Sequence, residues 1–153
     1  YEAAQYVNEN LFVAAQPAYN NAVIVDQYLY ATVDFCGIDI VDISDPAKPV
    51  NAGWENPWDC NKVNWNGRPG HTNQIATACN NRLLFVSGGD SEVLAYSILN
   101  RTQPRRVGQL ANVQDSVATW GIDVNDSLVV LAQIWSPLNI PYVAKKGGIR
   151  LLR

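Results

Sequence analysis

The chain has 153 residues with 11 basic and 14 acidic side chains, and its 16% charge lies below the about 25% usual for a soluble domain, which excludes a basic nucleic-acid binder. Hydrophobic residues make up 48%, enough for a core at a length where a single domain buries roughly 70% of its unfolded surface, so disorder is excluded too. No run of about 18 apolar residues is present to span a bilayer, no charged-then-apolar leader precedes Tyr1, and the absence of an initial Met reads as a processed, excised or incomplete chain.

Near the start, Asn10-Leu11-Phe12-Val13 has the look of a strand. A fuller series begins with Ala22-Val23-Ile24-Val25, a polar Asp26-Gln27 turn, then Tyr28-Leu29-Tyr30-Ala31-Thr32-Val33. Ile38-Asp39-Ile40-Val41-Asp42 follows, with a fourth strand around residues 50–54. The same series returns over residues 74–78, 83–86, 93–98 and 106–110, and in part over 117–124, 128–132 and 148–153. No stretch sustains a 3.6-residue apolar period for three turns, so helices are not expected.

The repeat is regular in number as well as in kind: residues 38, 49 and 53 correspond to 93, 104 and 108, a constant offset of 55. Strands apolar at consecutive positions require cover on both faces, which units stacked side by side provide. Four-stranded units recurring at this spacing match radial repetition about a channel. The expectation is therefore an all-β partial propeller of about three four-stranded antiparallel blades. Residues 1–21 form an N-terminal extension or the remnant of a preceding blade, 22–54 the first blade, 55–73 a Trp- and Asn-rich connection, 74–111 the second blade and 117–153 an incomplete third. Three blades are too few for a ring of four to eight. Missing chain, a partner, other copies, or residues 1–21 folding back onto the edge at 149–152 would have to complete it.

Ile38-Asp39-Ile40-Val41-Asp42, followed by Ile43-Ser44-Asp45-Pro46 and Pro49, resembles the LVIVD repeat, a β-propeller repeat of bacterial and archaeal surface proteins. The resemblance is good over residues 22–54, fair over 74–110 and partial over 118–153. It implies a propeller fold and an extracellular or cell-surface location. Asp39 and Arg150 place charge where the family strand is apolar, which suggests a surface facing a water-filled channel or a partner. In the second copy Asn100-Arg101 replaces Asp45-Pro46.

His71 is the single histidine, so any triad chemistry depends on it. Its turn-rich surroundings, Gly67-Arg68-Pro69-Gly70-His71, suggest a solvated or hydrogen-bonded loop residue, with a general base at a channel mouth as the catalytic reading. Asp39 and Asp42 lie three apart on one strand and point to opposite faces, so they cannot act on one bond. Asp45, ahead of Pro46, caps its own turn. G-x-S-x-G, P-loop, G-x-G-x-x-G and C-x-x-C motifs are absent, and no metal site or cofactor is indicated.

Cys60 and Cys79 flank a segment without apolar periodicity, where a disulfide would act as a staple, leaving Cys36 over. Asn100-Arg101-Thr102 and Asn125-Asp126-Ser127 are glycosylation sequons at Asn100 and Asn125. The connection carrying Trp54, Trp58 and Trp65 among asparagines is longer than a usual loop, and Trp135 and Tyr142 mark a second insertion. These aromatic residues either cover blade edges, anchor a protein or stack on sugar rings. The expected function is a noncatalytic extracellular scaffold or adhesion module that binds a protein partner or other copies of itself. An enzyme of hydrolase or lyase type using His71 or Asp39, and a carbohydrate-binding module, are its rivals.

Overall fold

The computed structural model describes residues 2–11, 18–57, 71–89, 93–110, 116–125, 127–137 and 144–153. They form eleven strands in three antiparallel sheets, none of which closes on itself. The first sheet contains β1 (Tyr19–Val25), β2 (Tyr28–Val33), β3 (Ile38–Asp42) and β4 (Val50–Glu55), side by side in chain order. The second repeats the meander with β5 (Ile75–Ala78), β6 (Leu83–Ser87), β7 (Val93–Ser97) and β8 (Arg105–Leu110). The third has β9 (Ala118–Asn125), β10 (Leu128–Ile134) and β11 (Gly148–Leu152), with β11 at its edge. Among the described residues, helical structure is limited to short 3-10 turns at Glu9–Leu11 and Asp34–Cys36, and no helix is long and apolar enough to cross a membrane.

The sequence offset survives as strand register. Tyr30 faces Ile40 as Phe85 faces Ala95, and Ile38 faces Glu55 as Val93 faces Leu110. Even the bulge recurs, between Ile40 and Val41 in the first sheet and between Ala95 and Tyr96 in the second. In both sheets a proline, Pro49 or Pro104, precedes the fourth strand, where the missing N–H costs no ladder bond.

The sheets stack face to face in chain order. Val25, Tyr30, Ile38 and Ile40 of the first meet Ile75, Leu84, Val86, Leu94 and Tyr96 of the second. The opposite face of the second, with Val93 and Phe85, meets Ile122, Leu131, Val124 and Leu152 of the third. Consecutive apolar positions thus serve two different interfaces, since neighbouring side chains on a strand point to opposite faces. Polar contacts join the layers at their far end. The Tyr30 hydroxyl donates to the Arg101 carbonyl at 2.8 Å. The Arg101 guanidinium bonds Asp26 at 2.8 Å and the Asn81 and Ile98 carbonyls. The replacement of Pro46 by Arg101 in the second copy thereby acquires a reason: this turn lies against the first sheet.

Two expectations about the N-terminal region are corrected. Residues 19–21 belong to β1 rather than to an extension, and Leu11 closes a 3-10 turn rather than a strand. Leu11 packs with Val33, Phe35 and Cys36 of the first sheet, and Asn8 bonds Asp39, so the described part of this region lies there and not along β11.

Gly53 and its repeat counterpart Gly108 respond to different neighbours. A Cβ on Gly53 would lie 2.4 Å from the Thr102 carbonyl oxygen, whereas one on Gly108 meets nothing nearer than 3.7 Å. Gly53→Ala is expected to lower unfolding free energy by about 1–3 kcal/mol through overpacking, and Gly108→Ala to change it by less than about 1 kcal/mol. Urea denaturation of the two variants checks this, and equal effects would contradict the described junction.

Candidate functional site

The junctions between sheets are built by one repeated polar device. Thr32 Oγ1 accepts the Asn21 N–H at 3.1 Å within its own sheet and donates to the Asn73 carbonyl of the next segment at 2.9 Å. Ser87, 55 positions on, accepts the Gln74 N–H at 2.7 Å and donates to the Trp120 carbonyl at 3.1 Å. Both hydroxyl residues are fully buried. Beside each, the turn after the second strand offers a carbonyl to the next unit: Thr72 N–H bonds Asp34 O at 2.7 Å, and Thr119 N–H bonds Gly89 O at 3.0 Å.

At the first junction this device carries a charged cluster. Asp34 opens the 3-10 turn with a φ of +28°, a strained value for a residue with a side chain. The turn is completed by Gly37 at φ +79°, where a Cβ would collide with the Glu55 carbonyl oxygen. Asp34 is buried, and its carboxylate accepts from Ala18 N–H at 2.6 Å, Asn20 Nδ2 at 2.8 Å and His71 Nε2 at 3.1 Å. Burial pushes its pKa up, but the bonds from His71, Ala18 and Asn20 outweigh that, and the net direction is down. Of the two expected states, solvated or hydrogen-bonded, His71 has the second: it is buried, and sits edge-on to Phe35 (5.2 Å) and stacked on Trp120 (5.4 Å, 16° between planes). With Nε2 engaged by Asp34, the cluster fastens three segments: the β2–β3 turn, the approach to β5, and β9.

Asp39 is likewise not a water-facing carboxylate. It is 0% exposed and accepts from Asn8 Nδ2 at 3.0 Å, Asn51 Nδ2 at 2.9 Å and the Tyr19 hydroxyl at 2.7 Å. Burial, and then the Asp39 carboxylate, hold the Tyr19 phenol above its usual range. Neutral donors therefore solvate this charge in place of water, which is the condition for keeping a carboxylate inside. Asp42 and Asp45 cap their own turns, accepting from Ser44 N–H at 2.8 Å and Ala47 N–H at 3.0 Å. Among the described residues no group of three His, Cys, Asp or Glu side chains could hold a metal ion.

The aromatic candidates separate. Trp54 lies on β4, half-buried against Leu11, Val33 and Phe35, and its indole N–H donates to the Cys36 carbonyl. Trp135 is exposed just beyond β10. Trp58, Trp65 and Tyr142 lie outside the described residues, as does Cys60. The expected Cys60–Cys79 bridge is not formed: Cys79 is a free, exposed thiol in the β5–β6 turn, held at φ +54°, and Cys36 is buried beside Leu11, Val33 and Phe35. Asn100, in a turn, and Asn125, at the end of β9, are exposed, and their side-chain oxygens accept from Thr102 and Ser127. Sequence reading missed Asp34, Trp120, Thr32 and Ser87; the hydroxyl shared by positions 32 and 87 was the available signal for the last two.

The least satisfied surface is apolar. In the third sheet Leu131 and Leu152 face the second sheet, which turns Ile149 and Leu151 the other way, where they are 69% and 61% exposed. Their repeat counterparts, Ile38 and Ile40, are each 0% exposed beneath the second sheet. No protein family, curated protein or solved structure matches the chain.

Thr32→Val keeps shape and removes only the junction hydroxyl, so it is expected to cost about 1–3 kcal/mol by leaving the Asn21 and Asn73 backbone groups unsatisfied. Chemical denaturation measures it, and an unchanged midpoint would remove the hydroxyl from the account. Asp34→Asn is expected to cost about 1–3 kcal/mol at pH 7. Because the folded-state pKa of Asp34 is lowered, its stabilisation is full above the ordinary value of 3.8 and fades as pH falls through the lower folded value. The gap between wild type and variant should therefore close below about pH 4. A gap that persists undiminished at pH 2 would contradict this.

Proposed function

We propose that the chain is a segment of a β-propeller of the LVIVD-repeat kind, and that it works as a noncatalytic assembly scaffold outside the cell. Supporting the propeller are the face-to-face stacking in chain order, the repeated junction, and the approach of first strands to one another, β1 to β5 and β5 to β9, as along an axis. The enzyme reading loses support from its own candidates. His71 and Asp39 are buried, His71 with its Nε2 on Asp34 and Asp39 among neutral donors, and each has a structural task.

The observation that carries the assembly role is the exposed pair Ile149 and Leu151, set against the complete burial of Ile38 and Ile40 at the same repeat positions. In this architecture that face is an interface wherever a neighbour exists. An exposed apolar sheet face of this kind is also a hazard unless another layer covers it.

The double variant Ile149→Lys/Leu151→Lys tests this. In a single chain these side chains touch water, so unfolding free energy should stay within about 0.5 kcal/mol of wild type while association is lost. Sedimentation equilibrium and urea denaturation read the two effects. A wild type that remains a 16.9 kDa monomer at all concentrations, or a variant that associates as wild type does, would refute the scaffold reading.

A further inference from the structure

We infer that Asn100 and Asn125 each carry an N-linked glycan, and that both glycans stand at one end of the stacked sheets. The inference rests on the extracellular part of the reading above. Each sheet is an antiparallel meander in chain order, so the turns after its first and third strands share one end, and the turn after its second strand lies at the other. The ends coincide from sheet to sheet. Arg101, in the β7–β8 turn, bonds Asp26 of the β1–β2 turn and the Asn81 carbonyl of the β5–β6 turn. Cys79 of the β5–β6 turn lines one cavity together with Asn125 and Ser127, which bracket the β9–β10 connection. Asn100 therefore shares its end of the stack with Asn125. At the opposite end lie the Asp34–His71 cluster, the exit of the chain from β4 at Glu55, and the exposed Trp135 beyond β10.

The asparagines divide by task. Asn8, Asn20, Asn51 and Asn73 fasten segments to one another through Asp39, Asp34 and the carbonyls of Thr72 and Trp120. Two positions beyond them stand Asn10, Ala22, Gly53 and Ile75, none with a hydroxyl. Asn100 and Asn125 are exposed and bond inside their own turns. They are also the two asparagines of the sequence with Thr or Ser two positions on and no proline between, the acceptor pattern for N-linked glycan. That pattern thus falls where attachment breaks no contact between segments.

The two sites have the same local geometry. Asn100 Oδ1 accepts from the Thr102 N–H and from the Thr102 hydroxyl, both at 3.3 Å. Asn125 Oδ1 accepts from the Ser127 N–H at 3.0 Å and from the Ser127 hydroxyl at 3.2 Å. In the transfer, Asn Nδ2 bonds to the anomeric carbon of a glycan held on a polyprenyl diphosphate. The bond from that carbon to the phosphate oxygen breaks, one Nδ2 proton goes to solvent, and the lipid diphosphate leaves. Donors on Oδ1 stabilise the negative charge that the amide oxygen takes up as the proton departs. Asn100 Nδ2 also donates to Gln103 Oε1 at 3.3 Å, and since an amide nitrogen carries two hydrogens, one remains for this bond after attachment. A glycan is bulky and hydrophilic, so an end that bears two of them keeps other protein surfaces away.

Secretion of the chain from insect cells, which supply diphosphate-linked glycan, tests the inference through intact mass and through glycosidase release without denaturant. Two glycan increments above the 16.9 kDa chain mass are expected, both released from the folded chain, with the same urea midpoint before and after release. Asn100→Gln and Thr102→Val should each remove one increment, and Asn125→Gln and Ser127→Ala the other, with strand content checked by circular dichroism. A secreted wild type of unshifted mass, a glycan at one site only, or glycans that resist release until the chain unfolds would overturn the inference and leave the scaffold reading in place. Peptide masses of the chain taken from its own organism separate the two readings. Glycan on Asn100 and Asn125 there supports the inference, and both residues bare on a chain recovered outside the cell would overturn it alone. A chain recovered inside the cell would overturn the location on which it rests.

Discussion

A sheet whose strands are apolar at consecutive positions, as Ile38-Asp39-Ile40-Val41 and Leu83-Leu84-Phe85-Val86 are, has no face suited to water. Hydrogen bonding within the sheet does nothing for those side chains; only a second layer on each side removes them from solvent. The second sheet meets this requirement completely, with Leu84, Val86, Leu94 and Tyr96 buried toward the first sheet and Val93 and Phe85 packed toward the third. The first and third sheets are each covered by a neighbouring sheet on one side. Most of the distinctive chemistry of the chain lies where that cover is incomplete or where one layer is registered on the next.

Registration is the task of the buried hydroxyls. Apolar burial is non-directional and would tolerate sliding of one sheet over another. A hydroxyl that accepts from its own sheet and donates to the next fixes the offset, because a buried backbone carbonyl left without a donor is costly. Thr32 and Ser87 do this with the same partners in the same order, although one carries a methyl group that the other lacks. The Asp34–His71 pair adds a charged fastening at the first junction. At the second, the position of Asp34 is held by Gly89, which keeps the backbone bond to Thr119 and brings no carboxylate.

Much of this was legible in the sequence, because period and turn chemistry are local properties. The strand series, the offset of 55 and the return of Pro and Gly at fixed places located all eleven strands to within a few residues. Other features were not legible, since their partners lie far apart in the chain. His71 reads as a loop residue in its own surroundings. Its burial comes from Phe35, 36 positions earlier, and Trp120, 49 positions later. Cys79 is a free thiol in an exposed turn at φ +54°, a placement that a spacing argument between Cys60 and Cys79 could not see. A charge in an apolar strand suggested a water-filled channel or a partner beside Asp39, and the first of these does not hold. Asn8, Tyr19 and Asn51 supply the same solvation from within the protein.

Asp39, Leu94 and Arg150 occupy one repeat position on the backward face, and their divergence tracks what stands behind them. Behind Leu94 is the apolar surface of the first sheet, and Leu94 is buried there. Behind Asp39 there is no sheet of the repeat among the described residues, and polar donors from the N-terminal region and β4 cover it. Arg150 sits on the edge strand β11 and stays exposed. The forward positions behave differently. Ile38, Val93 and Ile149 are all β-branched and apolar, although only the first two are buried. A residue type suited to solvent at position 149 would have been free of any packing constraint within the chain. An isoleucine there, followed by Leu151 on the same face, matches a position that meets another sheet.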